Sequence, residues 1–509
     1  MEPLPRSEMP HPASKDMDLM DPKSLARLFR AAEEEAREGL RDSGICETVA
    51  GLVASWIREP PRRIVLAGAG TSGRLAVLLA RRHGPGLRRL GIELLPWIAG
   101  GSRALAEAVE GAEDDVPAAR AGIGELLEIP GSVFFGISCG LSAPCVAGGL
   151  QAALEREAPV ALFGVNTPEE ARTDPLDGAP DGFRGLLARV EERGKFRFLL
   201  PDLGPEVLTG SSRLKGGTAT WVLLHELFRS LLLPEEEGRP ERIRARIDEA
   251  FRKAWGLLPE GWVAARIARA GEALRGGGRI LCLGAGGMGR AAVLDASECP
   301  PTFGASPEEA RAFLAGGWTA LLGPAGDCAF LDRVRPLSLS FAERKVLPKT
   351  GEGDFVLRLG LPEGEDLPSS GDEDVDFLAA KFGCNAITTG AFARAGKVWG
   401  NRMVDLQLSN AKLFDRACRI VSDLCGVPEG EALRCLVGAL HRTERPETSL
   451  CRLPVEAHRG LARPGVVPLA ICLASGLGLE EAEALLRSEP ILRRALAGVL
   501  HGGEGSIDS

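Results

Sequence analysis

Three short segments of this 509-residue chain carry side chains suited to holding a phosphate. In Gly68-Ala69-Gly70-Thr71-Ser72-Gly73 the glycines permit a tight turn, two hydroxyls stand in it, and a helical pattern follows. Backbone N–H groups at such a helix start face outward with the positive end of the helix dipole behind them, which makes the turn an anion cradle. Ser138-Cys139-Gly140-Leu141-Ser142-Ala143-Pro144 is a second small turn with hydroxyls ahead of a helix. The third, from Thr209 to Thr218, sets the hydroxyls of Thr209, Ser211 and Ser212 beside the cations Arg213 and Lys215. Each segment alone could be ordinary helix capping. Three of them after successive strands of one sheet read as one phosphate pocket, because open α/β sheets bind ligands at the carboxyl ends of their strands. Gly70, Thr71, Ser72, Ser138, Ser142, Ser211, Ser212, Arg213 and Lys215 are therefore the candidate substrate-binding residues.

The elements that must position these loops are repeated. Arg63 to Leu78 (RIVLAGAGTSGRLAVL) returns without a gap as Arg279 to Leu294 (RILCLGAGGMGRAAVL), an offset of 216 residues that also carries Ala99-Gly100-Gly101 onto Ala315-Gly316-Gly317. What repeats is a strand, a glycine turn and a helix start. The second copy has Gly287-Met288 where the first has Thr71-Ser72, so only the first offers a phosphate side-chain hydroxyls. Both copies satisfy G-x-G-x-x-G, with Glu93 at ribose-contact distance, but a dinucleotide needs no hydroxyls in the turn. Apolar runs at 64–67, 93–98, 132–137, 160–165 and 196–200, mostly separated by helical patterns, predict a parallel sheet covered by helices on both faces, an α/β unit of flavodoxin type. The expected order is N-terminal arm and helices (1–57), a first unit (58–242), a second unit (243–400) and a helical C-terminal domain (401–509).

Composition narrows the partners. The net charge of −9, with no basic block interleaved with aromatics, argues against nucleic acid. The first residues are polar and proline-rich, unlike a signal peptide or anchor. The longest apolar stretch, 465–479, is short and interrupted by Pro468 and Gly476, so no membrane span is expected and a cytoplasmic location is. Twelve cysteines form no C-x-x-C pair and read as reduced thiols. Cys418, Cys425 and Cys435 read as one helical stretch without a histidine at ligand spacing, so neither metal nor cofactor is expected. His225, in an apolar helix, reads as a packed core residue.

The combination of GAGTSGRL (Gly68 to Leu75), EGAED (Glu110 to Asp114), GSSRLKGGTA (Gly210 to Ala219), LDASECPPTFG (Leu294 to Gly304) and GKVWGNRMVDLQLSNAKL (Gly396 to Leu413) resembles sugar isomerase (SIS) domain proteins. It is most similar to the N-acetylmuramic acid 6-phosphate etherases and the glucokinase regulatory protein. In the etherases the motifs follow one another in one domain that works as a homodimer. Here they are divided: the first unit has TSGR, GAED and GSSRLK, and the second has SECPPTFG and the NRMVDLQLSNAK segment. Such complementary loss is what a duplicated dimer would show if one of its two shared sites were kept. The two-unit layout, GISCGLSAP (Gly136 to Pro144), GVNTPEEARTDP (Gly164 to Pro175) and the helical tail look like the regulatory protein, whereas Pro300-Pro301 stands as in the etherases. Gly140 and Ser142 depart from the etherases' Ser-Gly-Arg-Thr.

The resemblance implies two SIS domains and one shared site for a phosphorylated amino sugar or hexose phosphate. It makes Glu113 the base and Glu298 the acid of an elimination that releases D-lactate from N-acetylmuramic acid 6-phosphate, two carboxyl groups serving opposite proton transfers. Lys412, in the SNAK segment, would close the site from the tail. The alternative it implies is a sensor that binds a fructose 6-phosphate-type ligand and inhibits a hexokinase-type partner. Because both halves of the site lie in one chain, a monomer is expected.

Overall fold

The computed structural model of the chain describes residues 4–497 except 43, 108, 110, 324–327, 363–365, 406, 407, 409, 410 and 462. After helices α1 (Pro22–Asp42) and α2 (Ile45–Arg58), five strands form the first sheet: β1 (Arg63–Gly68), β2 (Glu93–Ile98), β3 (Ser132–Ile137), β4 (Val160–Phe163) and β5 (Phe196–Leu199). Their order is β2-β1-β3-β4-β5 with every neighbour parallel, the doubly wound arrangement of flavodoxin type. The strands read as unbroken apolar runs because both faces are covered. Along β1, Ile64 and Leu66 join one core while Val65 and Ala67 join the other. Helix α3 (Gly70–Arg89) lies on the first face; α4 (Val116–Leu126), α5 (Pro144–Glu155) and α6 (Gly182–Glu192) cover the second, and α7 (Lys215–Leu231) returns to the first.

The second unit follows α8 (Pro240–Gly256) and α9 (Glu260–Arg275). Its sheet has three parallel strands in the order β7-β6-β8: β6 (Ile280–Gly284), β7 (Ala310–Leu314) and β8 (Phe355–Leu359). Around it run α10 (Gly286–Phe303), the short α11 (Gly317–Leu322), α12 (Cys328–Val334) and α13 (Leu339–Phe341), and then α14 (Glu373–Arg394). Among the described residues, a small cluster with Phe313, Ala342 and Val346 covers the far face of this sheet at Leu281 and Leu283. Helix α14 is a central helix: every residue from Val375 to Ala393 is buried, its polar side chains Lys381, Asn385 and Thr388 included.

The two units meet where α3 and α7 lie against α10 and α14. Trp221 stacks on Phe377 at 3.9 Å between ring centroids, and Arg82 holds Asp374 with two bonds of 2.8 Å. One apolar cluster runs through both units and into the tail. The tail is not wholly helical: a hairpin of β9 (Val398–Trp399) and β10 (Arg402–Met403) precedes α15 (Ala411–Cys425) and α16 (Glu429–His441). Gly426-Val427-Pro428 ends α15, so Cys418 and Cys425 lie on one helix and Cys435 on the next, not on one stretch. His225 is buried and hydrogen-bonded to His83 at 3.1 Å. Among the described residues, no helix is long and apolar enough to cross a membrane.

Polar groups are also buried under the first unit. Glu33 of α1 accepts a hydrogen bond from the Thr218 hydroxyl at 3.0 Å, while its second oxygen has no hydrogen-bond partner among the described residues. Burial pushes its carboxyl up from 4.5 to about 7. The folded protein thus keeps this proton through a range where the unfolded chain has released it, and stability falls as pH rises from about 4.5 through about 7. Glu33→Gln is expected to flatten that fall, recovering about 3 kcal/mol between pH 5 and pH 8. Urea unfolding at both pH values reads it; equal slopes in variant and wild type would contradict it.

Candidate functional site

A cavity of about 170 Å³ opens at the carboxyl ends of the first sheet's strands and draws residues from three parts of the chain. The first unit supplies Gly70, Glu113, Ser211 and Ser212, the second supplies Glu298 and Thr302, and the tail supplies Met403, Leu413 and Arg416. Gly70 opens α3 with φ +50°, and a Cβ there would stand 3.5 Å from Glu298 Oε1. The second unit's carboxylate therefore reaches over the first unit's cradle. Glu113 lies in the loop before α4, its carbonyl accepting from Cys145 N–H at 3.0 Å. Of the EGAED segment, Glu110 lies outside the described residues.

The hydroxyl loops are brought together unequally. Thr71 and Ser72 are buried in the first turn of α3 and are not among the cavity's lining residues. Burial pushes the Cys139 thiol up to about 11, against the hydroxyls of Thr220, Ser72 and Ser212 beside it, and its sulfur lies 3.9 Å from the Thr220 hydroxyl of α7. Ser138 Oγ accepts from the N–H groups of Ser142 and Ala143, at 3.1 and 3.2 Å, a turn cap at the start of α5. Asn166 donates to Gly140 O at 3.1 Å and to Ser7 Oγ at 3.0 Å, which brings the N-terminal arm onto the loop that carries Ser142.

The cations expected at the phosphate are committed elsewhere. Arg213 turns its guanidinium toward the second unit, to Asp295 at 3.0 Å and the Thr389 hydroxyl, with the Phe303 ring beneath it. Lys215 Nζ donates to Leu203 O at 2.7 Å and Glu35 at 2.9 Å, while Arg213, though paired with Asp295, is itself among the residues that line the cavity. The side chain of Lys412 lies outside the described residues. Two cations that spacing alone did not single out line the cavity as well. Arg74, one turn beyond Thr71, pairs with Glu298, and burial pulls its guanidinium below the usual value against that carboxylate's pull. Arg416, one turn beyond Lys412 on α15, pairs with Glu8 at 2.6 Å. The Nε atoms of Arg74 and Arg416 are buried without a hydrogen-bond partner among the described residues. Arg74 lies inside the GAGTSGRL motif itself, three residues beyond Thr71, and the signal for Arg416 is helical phase, four residues beyond Lys412.

The second glycine turn is closed. A Cβ at Gly287 would stand 2.5 Å from the Glu373 carbonyl, because the first turn of α14 packs onto it, and Arg290 beside it pairs with Glu373. Glu93, placed by spacing for a ribose, is paired with Arg63 of the neighbouring strand at 2.6 Å. Among the described residues, no group of three or more His, Cys, Asp or Glu is placed to hold a metal ion.

What this arrangement can do chemically is bind a small anion bearing hydroxyl groups. N–H groups and hydroxyls of the first unit meet the anion, and carboxylates from both units accept from the hydroxyls. Three family models match the chain: the glucokinase regulatory protein N-terminal SIS domain over residues 45–154, its second SIS domain over 261–365, and its C-terminal lid domain over 400–496. The glucokinase regulatory protein of Homo sapiens is 28% identical, covering 98% of this chain and 93% of its own length. That of Xenopus laevis is 26% identical over 97% and 93%. An N-acetylmuramic acid 6-phosphate etherase of a Synechococcus strain is 29% identical but covers 52% of this chain.

Proposed function

Because the chain belongs to the two-SIS-domain family of the glucokinase regulatory proteins and N-acetylmuramic acid 6-phosphate etherases, we propose that it is a sugar-phosphate sensor that controls a hexokinase-type partner. The observation that carries this reading is the single cavity in which Ser211 and Ser212, Glu298 of the other unit and Arg416 of the tail converge. A ligand there touches all three parts of the chain at once. Its binding can favour one arrangement of the tail, which is how occupancy becomes a signal to a partner. The likeness to the regulatory proteins over nearly the full length, tail included, supports the same reading. The Arg74–Glu298 pair also puts a carboxylate of the second unit where it can accept from sugar hydroxyls.

One observation favours a second reading, a carbon–oxygen lyase of the etherase type: Glu113 and Glu298 line the same cavity. Calorimetry with fructose 6-phosphate, kinase inhibition and D-lactate release from N-acetylmuramic acid 6-phosphate separate the two. Under the sensor reading the sugar phosphate binds, and Ser211→Ala weakens it about 10- to 100-fold through a lost hydrogen bond to a charged group. A hexokinase-type enzyme is inhibited and no D-lactate appears. D-lactate release by the wild type, abolished in Glu298→Gln, would replace the sensor by the lyase.

A further inference from the structure

The third hydroxyl loop is held from beneath by the unit that has lost its own cradle. Lys381 of α14 is 1% exposed, and its ammonium reaches four acceptors. These are the carbonyls of Arg213 and Leu214 at 3.0 and 3.1 Å, Thr218 Oγ1 at 2.9 Å and Asn385 Oδ1 at 2.9 Å. The first two carbonyls belong to the two residues that follow Ser211 and Ser212 and lead directly into α7. Asn385 donates to Asp295 at 2.6 Å, and Asp295 accepts from Arg213. The loop is thereby gripped twice, by its backbone at Lys381 and by its side chain at Asp295. The ammonium lies near the carboxylates of Glu33, Glu206 and Asp295, and Glu206 accepts from the N–H groups of Lys215 and Gly216 at 3.1 and 2.7 Å.

We propose that Lys381 is a positioning residue for the phosphate-binding loop: by holding the Arg213 and Leu214 carbonyls away from the cavity, it keeps the Ser211 and Ser212 hydroxyls turned toward the ligand's phosphate. A carbonyl that swung into the cavity would repel a phosphate. The inference rests on the sugar-phosphate reading of the cavity and adds the dependence of that site on one side chain of the opposite unit. It gives the second unit a task that its altered glycine turn does not exclude.

The test compares Lys381→Met with Ile387→Ala, a core change on the same helix whose side chain is 1% exposed. Fructose 6-phosphate and inorganic phosphate are titrated calorimetrically, thermal unfolding is recorded, and amide hydrogen exchange is followed at residues 209–215. Lys381→Met is expected to weaken both ligands about 10- to 100-fold, the weight of one or two charge-assisted hydrogen bonds, and to speed exchange in the loop. Ile387→Ala is expected to lower the unfolding temperature with affinity and loop exchange unchanged. Unchanged affinity in Lys381→Met, or an equal loss in Ile387→Ala, overturns the proposal. If Lys381→Met does not fold, Asn385→Ala, which frees the ammonium without removing it, is read on the same amides, and unaltered exchange there is the contrary result. Should the wild type bind neither ligand, the sugar-phosphate reading fails, while the exchange arm still decides whether Lys381 holds the loop.

Discussion

Asp295→Ala is expected to cost the protein about 3–5 kcal/mol of stability, the usual penalty for removing one partner of a fully buried ion pair. The Asp295 and Arg213 side chains are each 2% exposed and 3.0 Å apart. Asp295 also accepts from Asn385 at 2.6 Å and from Thr388 at 3.2 Å. Its loss would strand a guanidinium, an amide and a hydroxyl where water does not reach, and each would cost free energy on its own. Arg213→Met with Asp295→Leu removes both charges together and is expected to recover most of the loss, since apolar replacements of buried pairs are often neutral. Urea unfolding of the three proteins reads the difference. A single variant as stable as the wild type would mean that the pair is not desolvated. The same double variant bears on ligand binding: with the guanidinium turned to Asp295, phosphate affinity should survive its removal, whereas an Arg213 that touched the phosphate would take that affinity with it.

A chain is expected to bind one sugar phosphate, and returning the hydroxyls to the second turn should not create another site. In Gly287→Thr with Met288→Ser, the new Cβ at 287 would meet the Glu373 carbonyl at 2.5 Å and the Phe377 nitrogen at 3.2 Å. Both are backbone atoms of a buried helix and cannot step aside without moving it. Met288 is itself 1% exposed, its sulfur against Gly360, so the second change also empties core volume. Overpacking beside a new void is expected to cost about 2–5 kcal/mol in all. Calorimetry with fructose 6-phosphate should give one site per chain in the wild type and no more in the variant. Two equivalent sites in either protein would sink the shared-site arrangement.

Much of the scaffold was legible before any coordinates. The strand boundaries at 93–98 and 132–137 coincide with β2 and β3, because strands buried on both faces must be continuous apolar runs and turn residues punctuate them sharply. The 216-residue repeat announced two units, and the missing hydroxyls at 287 and 288 announced their inequality. The hairpin at 398–403 was missed, since four strand residues inside a helical neighbourhood leave too short a pattern to read.

The residue types of this chain by themselves determined the parallel sheets, the two glycine turns and the loops that carry hydroxyls, for these follow from local rules of backbone and burial. They did not determine where the long cations point. Arg213 and Lys215 sit beside Ser211 and Ser212 in the chain, yet one reaches Asp295, 82 residues on, and the other Glu35, 180 residues back. Arg74 and Arg416 line the cavity beside Arg213. A flexible cation settles on whichever carboxylate the fold brings within reach in a dry interior, where a paired charge is tolerated and an unpaired one is not. Which carboxylates those are depends on how α10 and α14 pack against α3 and α7, and that only the tertiary structure decides.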